Sequence, residues 1–294
     1  MALLMVGFCS ACNESPKTSS ETVMAIDTLE AADSARYAHL QLHIELPVAA
    51  DGVATAIRSR LVDLLSSRLT YVTSYENERL FEPFSGDAAD NKALTDYYRS
   101  QLIGLLDSLS MSDAQERIKY INEAAELSDE EKIQQESEIP GWEYSYELRL
   151  LSDTLGYVVF LSQDYIYMGG AHGGIGGDGC LTFDREDGTM VEQMLVPDCV
   201  EAIQPLLVRG LVSYYSDLEV QLSEAEVRDR LQIEGDLIPL PVQQPYPSKD
   251  GLVFTYNQYE IACYADGMPS FVIPYEDIAP LMTPLAKKVC GLND

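Results

Sequence analysis

Between Asp164 and Asp184 the chain runs Asp164-Tyr165-Ile166-Tyr167-Met168-Gly169-Gly170-Ala171-His172-Gly173-Gly174, then reaches Thr182-Phe183-Asp184 ahead of an Asp187-Gly188 turn. Few folds accommodate an alternating aromatic run that ends in clustered glycines and is answered by a second β-rich run. Aromatic and β-branched side chains favour a pleated sheet, and glycines supply the left-handed backbone of a tight turn. The stretch therefore predicts a β-hairpin whose loop holds one of only three histidines in the chain. A lone hairpin is marginal in water, so the remaining sequence must bury its face.

Upstream segments can do this. Leu40, Leu42, Ile44 and Leu46 alternate with His39, Gln41, His43 and Glu45, and Pro47 with Asp51-Gly52 closes the pattern of a half-buried strand. His39 and His43 fall on its polar face, where two histidines without a third ligand read as solvent-facing. Ile57, Leu61, Leu64 and Leu65 recur at helical spacing, as do Leu94, Tyr98, Leu102, Leu105 and Leu109, which predicts two amphipathic helices. Ser112 with Gln115, and Ser128 with Glu131, have capping-box spacing and predict helices starting near 113 and 129. Beyond Pro140-Gly141, Trp142, Tyr144, Tyr146, Leu148 and Leu150 share one parity, and Tyr157-Val158-Val159-Phe160-Leu161 follows a turn at Asp153-Thr154. Two antiparallel strands leading into the hairpin fit this texture.

After the hairpin, Val200, Ile203, Leu207, Leu211 and Tyr214 mark a helix, and Ser223 with Glu226 opens a short one. The runs 252–256, 259–264 and 271–273 read as a β-meander with a turn at Ala265-Asp266-Gly267, and Tyr275 starts a closing helix. If Tyr259 and Ile261 point inward, Glu260 is a solvated strand residue. The expected class is α+β, an antiparallel sheet packed by helices and continued by the C-terminal meander. Three segments are expected: a signal and flexible tether (1–36), an N-terminal α+β module (37–164) and a C-terminal α+β module (165–294).

Gly169, Gly170, Ala171 and His172, with Tyr259-Glu260-Ile261-Ala262-Cys263-Tyr264-Ala265 and Phe271-Val272-Ile273-Pro274-Tyr275, resemble the RsiV-like extracellular domains of bacteria, a family of unknown function. Such domains form the outer half of a lysozyme-sensing anti-sigma factor, precede the catalytic domain of some peptidoglycan deacetylases and occur in lipoproteins. The resemblance implies a cell-envelope setting. It attaches no catalytic role to the Gly-Gly-Ala-His motif.

Residues 1–11 are uncharged and mostly apolar, and Ser10-Ala11-Cys12 looks like the end of a lipoprotein signal, where small residues precede the cysteine that receives lipid. Cys9 stands where leucine is usual, and an ordinary cleaved signal or a buried strand is the alternative. The expectation is lipidation at Cys12 and a protein that hangs from a membrane, on its periplasmic or outer side, without spanning it. Cys180, Cys199, Cys263 and Cys290 remain, and four thiols in an exported chain allow three pairings. None has C-x-x-C spacing, so no metal is expected.

The 48 acidic and 19 basic residues give a formal charge of −29, which repels phosphate backbones and argues against nucleic acid. It favours cationic partners, although acid scattered over helix faces is a commoner cause. His172 among its glycines, with Asp178 or Asp184 to assist, is a candidate for acid–base work, but the preferred reading is that it pins the turn by a hydrogen bond. No P-loop, H-E-x-x-H or G-x-S-x-G pattern occurs, and no cofactor is expected. Tyr259, Glu260 and Tyr264 form a candidate binding cluster of aromatics around an acid. The function this supports is a lipid-anchored, non-enzymatic binding module for a cationic, lysozyme-like protein or a peptidoglycan fragment. The alternative is a cell-envelope hydrolase with its site near His172.

Overall fold

The computed structural model describes residues 23–72, 78–216 and 220–292. Cys12 lies outside them. A five-stranded sheet, its strands neighbours in chain order, carries the N-terminal half, and a separate three-stranded antiparallel sheet lies near the C-terminus. The expected α+β architecture is present, with helices against the larger sheet and short helices closing the chain.

β1 (Ile26–Ser34) pairs antiparallel with β2 (Ala38–Pro47). It falls within the stretch expected to be a tether. Its small Ala and Ser residues give little hydrophobic signal, but pairing with β2 satisfies the backbone, and Leu29 is buried opposite Ile44. Asp51 caps α1 (Gly52–Leu69) by accepting the Ala54 amide, and Asp90 caps α2 (Asn91–Glu123) through that of Ala93. In α2 the buried positions Leu94, Tyr98, Leu102, Leu106, Ser110 and Ala114 recur every fourth residue. That stripe continues through Ser112, so no new helix starts near 113 and Ser112-Gln115 is a capping-box spacing in a helix interior. The Ser128–Glu131 box is present and opens α3 (Asp129–Ser137).

Because α1, α2 and α3 form a crossover, β3 (Trp142–Asp153) returns parallel to β2, which corrects the expected all-antiparallel sheet. β4 (Tyr157–Tyr167) and β5 (Gly174–Asp184) complete it as the expected hairpin. Strand alternation splits the core. Val158 and Phe160 join Tyr144, Tyr146 and Leu148 beneath α1 and α2, whereas Tyr157 and Val159 join a second cluster with Ile203 and Leu207. The two clusters thus lie on opposite sides of β4.

The second cluster is built by α4 (Val200–Tyr215), α5 (Glu224–Arg230), β6 (Tyr246–Pro247), β7 (Gly251–Thr255), β8 (Ser270–Pro274), α6 (Tyr275–Ile278) and α7 (Pro284–Val289). The Ser223–Glu226 box opens α5 as expected. The 259–264 run is no strand: β8 pairs directly with β7, and Tyr259 has φ 63°. A bulky residue with left-handed backbone cannot continue a pleat, so the run folds as turns and the meander neither includes it nor extends the large sheet.

Candidate functional site

The β4–β5 loop turns at Gly169. Its φ is 77°, and an added Cβ would stand 2.8 Å from Pro140 and 3.2 Å from the Arg117 guanidinium. Arg117 donates from α2 to the Met168 and Gly169 carbonyls, both at 3.3 Å, and its Nε donates to Asp113 at 2.9 Å. Gly170 has no such need: its φ is not left-handed, and the space beside it is open to 4.0 Å. Ala171 is exposed beside it.

His172 bridges this loop to the C-terminal half. Its Nδ1 lies 3.0 Å from the Gly173 carbonyl oxygen and its Nε2 3.1 Å from the Tyr259 hydroxyl. A carbonyl only accepts, so Nδ1 carries the proton, and in the neutral ring Nε2 accepts from Tyr259. The imidazole stacks on Tyr264 at 3.7 Å between centroids. Two of the three residues named from the sequence as a binding cluster therefore enclose His172. The third does something else: Glu260 accepts the Val242 amide at 2.6 Å and the Asn257 amide at 2.7 Å, fixing two loops instead of lying solvated on a strand.

Neither aspartate joins His172. It precedes β5 and Asp184 ends that strand, which puts about 30 Å of extended chain between them. Asp184 is buried and accepts from Lys288 at 2.7 Å and from the Glu186 amide at 2.9 Å. Donating to the Asp184 carboxylate and, at 2.9 Å, to that of Glu186 holds the Lys288 ammonium well above the usual lysine range. Asp178 accepts the Ser162 hydroxyl at 2.9 Å.

The helix-covered face of the sheet contains a buried polar network. Arg68 of α1 grips Asp164 of β4 with two bonds, of 2.6 and 3.2 Å, and the Tyr144 hydroxyl donates to the same carboxylate at 3.4 Å. Alongside, the Tyr146 and Ser162 hydroxyls meet at 3.0 Å. Burial, reinforced by the Asp164 charge, pushes the Tyr144 phenol well up, and burial does the same to Tyr146. Burial is the largest influence on Arg68 and disfavours its charge, but the bond to Asp164 together with the Asp164 charge and the neighbouring Tyr144 and Asp178 outweighs it and leaves the guanidinium more firmly protonated. Gly176 of β5 makes room, since a Cβ there would fall 2.6 Å from Arg68 and 2.7 Å from Asp164.

The opposite face is open away from the second core. Strand register sets its side chains in rows: Glu30, His43, Glu147 and Gln163 form one, and Ala32, Gln41, Ser145, Tyr165 and Ile175 form the next. Ser34, His39, Glu143 and Tyr167 form a third. The central row drops to small side chains at Ala32 and Ser145, which lie between Glu30 and Glu147 of one flanking row and His39 and Glu143 of the other, so the surface forms a trough there. Cavities of about 680 and 400 Å³ along it share Gln41, Ser145 and Tyr165. His43 sits between carboxylates, 2.8 Å from Glu30 and 3.5 Å from Glu45, and Arg149 pairs with Glu147 at 2.7 Å. Four glutamates, Glu30, Glu45, Glu143 and Glu147, thus face one arginine. The side chains of Gln41, Ser145 and Gln163 donate and accept no hydrogen bond among the described residues.

Alternation had placed His39, Gln41 and His43 on a polar face, and they lie there. The trough itself was missed, because parity within a strand says nothing of which strands are neighbours. Cys180, Cys199, Cys263 and Cys290 are free thiols, and burial pushes Cys180 up to about 12. Among the described residues, no group of three or more His, Cys, Asp or Glu could hold a metal, and no helix is long and apolar enough to cross a membrane.

Comparison with known proteins places a domain match in the C-terminal half. Residues 201–276 match DUF3298, a protein family of unknown function. A solved member of that family from Bacteroides fragilis superposes with a TM-score of 0.62 at 19% identity, over 92% of this chain and 98% of its own. A DUF3298 family protein from Pseudomonas aeruginosa gives 0.51 at 17% identity, over 90% of this chain and 96% of its own. These likenesses show a shared fold. No curated protein matches the chain. The matched segment contains Tyr259, Glu260 and Tyr264 and begins after the hairpin that carries His172.

Proposed function

We propose that this chain is a lipid-anchored protein of the bacterial cell envelope that binds a cationic macromolecule without chemical conversion, as an RsiV-like member of its domain family. The observation that carries the reading is the open sheet face, where four glutamates oppose one arginine in a chain of formal charge −29. A concave acidic surface concentrates cations and speeds their encounter. His172 supports binding over hydrolysis, since both of its ring nitrogens already have partners and neither Asp178 nor Asp184 stands beside it. Ser10-Ala11-Cys12 supports the anchor.

Lysozyme, a strongly basic envelope-active protein, is the first ligand to try. Calorimetry with the full chain should show binding at low salt that weakens at physiological ionic strength, where the Debye length is about 8 Å. An unrelated protein of similar negative charge should bind less. Equal binding by that control would reduce the attraction to bulk charge, and an absence of binding by either would remove the cationic-partner reading. Palmitate labelling of the native protein tests the anchor separately: label absent from Cys12 would sink it.

A further inference from the structure

We infer that the trough on the open face of the five-stranded sheet receives one extended segment of a basic polypeptide, laid across the strands along the row Ala32, Gln41, Ser145, Tyr165. This rests on the cationic-partner reading above and adds where and in what conformation the partner is held.

Dimensions, hydrogen bonding and charge carry the inference. From Ala32 to Tyr165 the row crosses four strands, three spacings of about 4.8 Å, and is roughly 14 Å long, room for about four residues of extended chain at about 3.3 Å each. The floor is low at Ala32 and Ser145, so a backbone can approach it. Gln41, Ser145 and Gln163 offer donors and acceptors with no partner among the described residues, matching the unsatisfied amides and carbonyls of an extended segment. Glu30 and Glu147 flank the row on one side and Glu143 on the other, each bank about 7 Å from the floor along the strands. Side chains of an extended peptide alternate in direction, so one that lies in the floor sends basic groups to both banks. Glu143 has no ion-pair partner among the described residues and stands ready for such a cation. At the β4–β5 end, Tyr165 and Ile175 provide an apolar stop beside the C-terminal half.

The test uses the full chain and fluorescein-labelled hexalysine, read by anisotropy at low salt. Glu30→Gln, Glu143→Gln and Glu147→Gln together should weaken binding by about tenfold or more, as expected for three exposed charge contacts. Glu123→Gln, Glu126→Gln and Glu130→Gln remove the same charge from exposed positions near α3 and should change it by less than about twofold. Ser145→Phe raises the floor without altering charge and should also abolish tight binding, with circular dichroism confirming an intact fold. Equal weakening by the two triple variants would overturn the inference in favour of diffuse attraction. So would hexalysine that does not bind the wild type; if lysozyme still binds, the cationic-partner reading survives and only the trough is lost. An N-acetylglucosamine tetramer that binds the wild type and not Ser145→Phe would likewise overturn it, by making the trough a glycan site.

Discussion

The two faces of β3 and β4 are built from alternate residues of the same strands and solve opposite problems. On the helix-covered face Tyr144, Tyr146, Ser162 and Asp164 are polar yet buried, and every one is tied to a neighbour. On the open face Glu143, Ser145 and Gln163 sit one residue away, at least partly exposed, with no side-chain partner among the described residues. Burial forces polar groups into closed networks, because an unpaired group there costs about 1–3 kcal/mol; water lifts that demand on the other face. Stability resides beneath the helices, and capacity to bind resides where hydrogen-bonding valences are left to solvent.

Core truncation should separate the faces most. Phe160 is fully buried and packs edge-on against Phe183 at 6.3 Å, so Phe160→Ala should cost about 3–5 kcal/mol in urea unfolding. Gln163→Ala, three residues on and on the open face, should stay within about 0.5 kcal/mol. Similar losses at both positions would erase the distinction. A smaller effect tests the buried network: Asp164→Asn leaves the Arg68 guanidinium unpaired. Because the Arg68 side chain is 33% exposed, the expected cost is about 2–3 kcal/mol, below the 3–5 of a fully buried broken pair. Wild-type stability in that variant would make the network ornamental.

The covered face was legible in the sequence to a large degree. The alternation at Leu40, Leu42, Ile44 and Leu46 and the parity of Tyr144, Tyr146 and Leu148 follow from one strand's own pleat, and all seven side chains are buried. The trough was not legible, since it arises from register among strands that lie up to about a hundred residues apart, with His43 opposite both Glu30 and Glu147. The parallel β2–β3 pair was hidden for the same reason. At 259–264 the aromatic run imitates a strand, but β7 already pairs with β8, and the left-handed Tyr259 and the two amides held by Glu260 fix turns instead. The Gly-Gly-Ala-His loop announced a turn; its reach to Tyr259 and Tyr264 depends on tertiary contact.

Alkali sharpens the contrast further. The Tyr144 and Tyr146 phenols are raised by burial, so the folded state keeps protons that the unfolded state releases from about pH 10. Their contribution is fully present below that pH and lost as pH rises through the folded values, at about 1.4 kcal/mol for each pKa unit of difference. Cys180, pushed up to about 12, acts in the same sense from about pH 9. Melting temperature should therefore fall above pH 9 to 10, and Tyr146→Phe should flatten the fall. Gly169→Ala comes next in size, at about 1–3 kcal/mol, from left-handed strain and the approach to Pro140, whereas Gly170→Ala should be close to neutral. A reversed order would place the strained turn one residue later.

A smaller effect than at Gly169 is expected at His172, and it decides between its two roles. The imidazole is held by the Gly173 carbonyl, the Tyr259 hydroxyl and the Tyr264 ring, all in an exposed setting where such contacts are worth less than about 1 kcal/mol each. His172→Ala should therefore lower stability by about 1 kcal/mol and leave hexalysine affinity unchanged, because the trough lies along the rows from β1 to β4 and His172 belongs to the loop beyond them. Tyr259→Phe removes only the hydroxyl and should cost less still. Combining the two should cost scarcely more than His172→Ala alone, since the hydroxyl's partner is already gone; a double-mutant cycle in denaturant reads that coupling directly. If the changes instead add fully, the 3.1 Å contact contributes nothing in solution and the imidazole is free to take another partner. Loss of hexalysine binding in His172→Ala with the fold intact would extend the binding surface from the open sheet face onto the hairpin loop, and so break the division between a stabilising and a binding side on which the comparison rests.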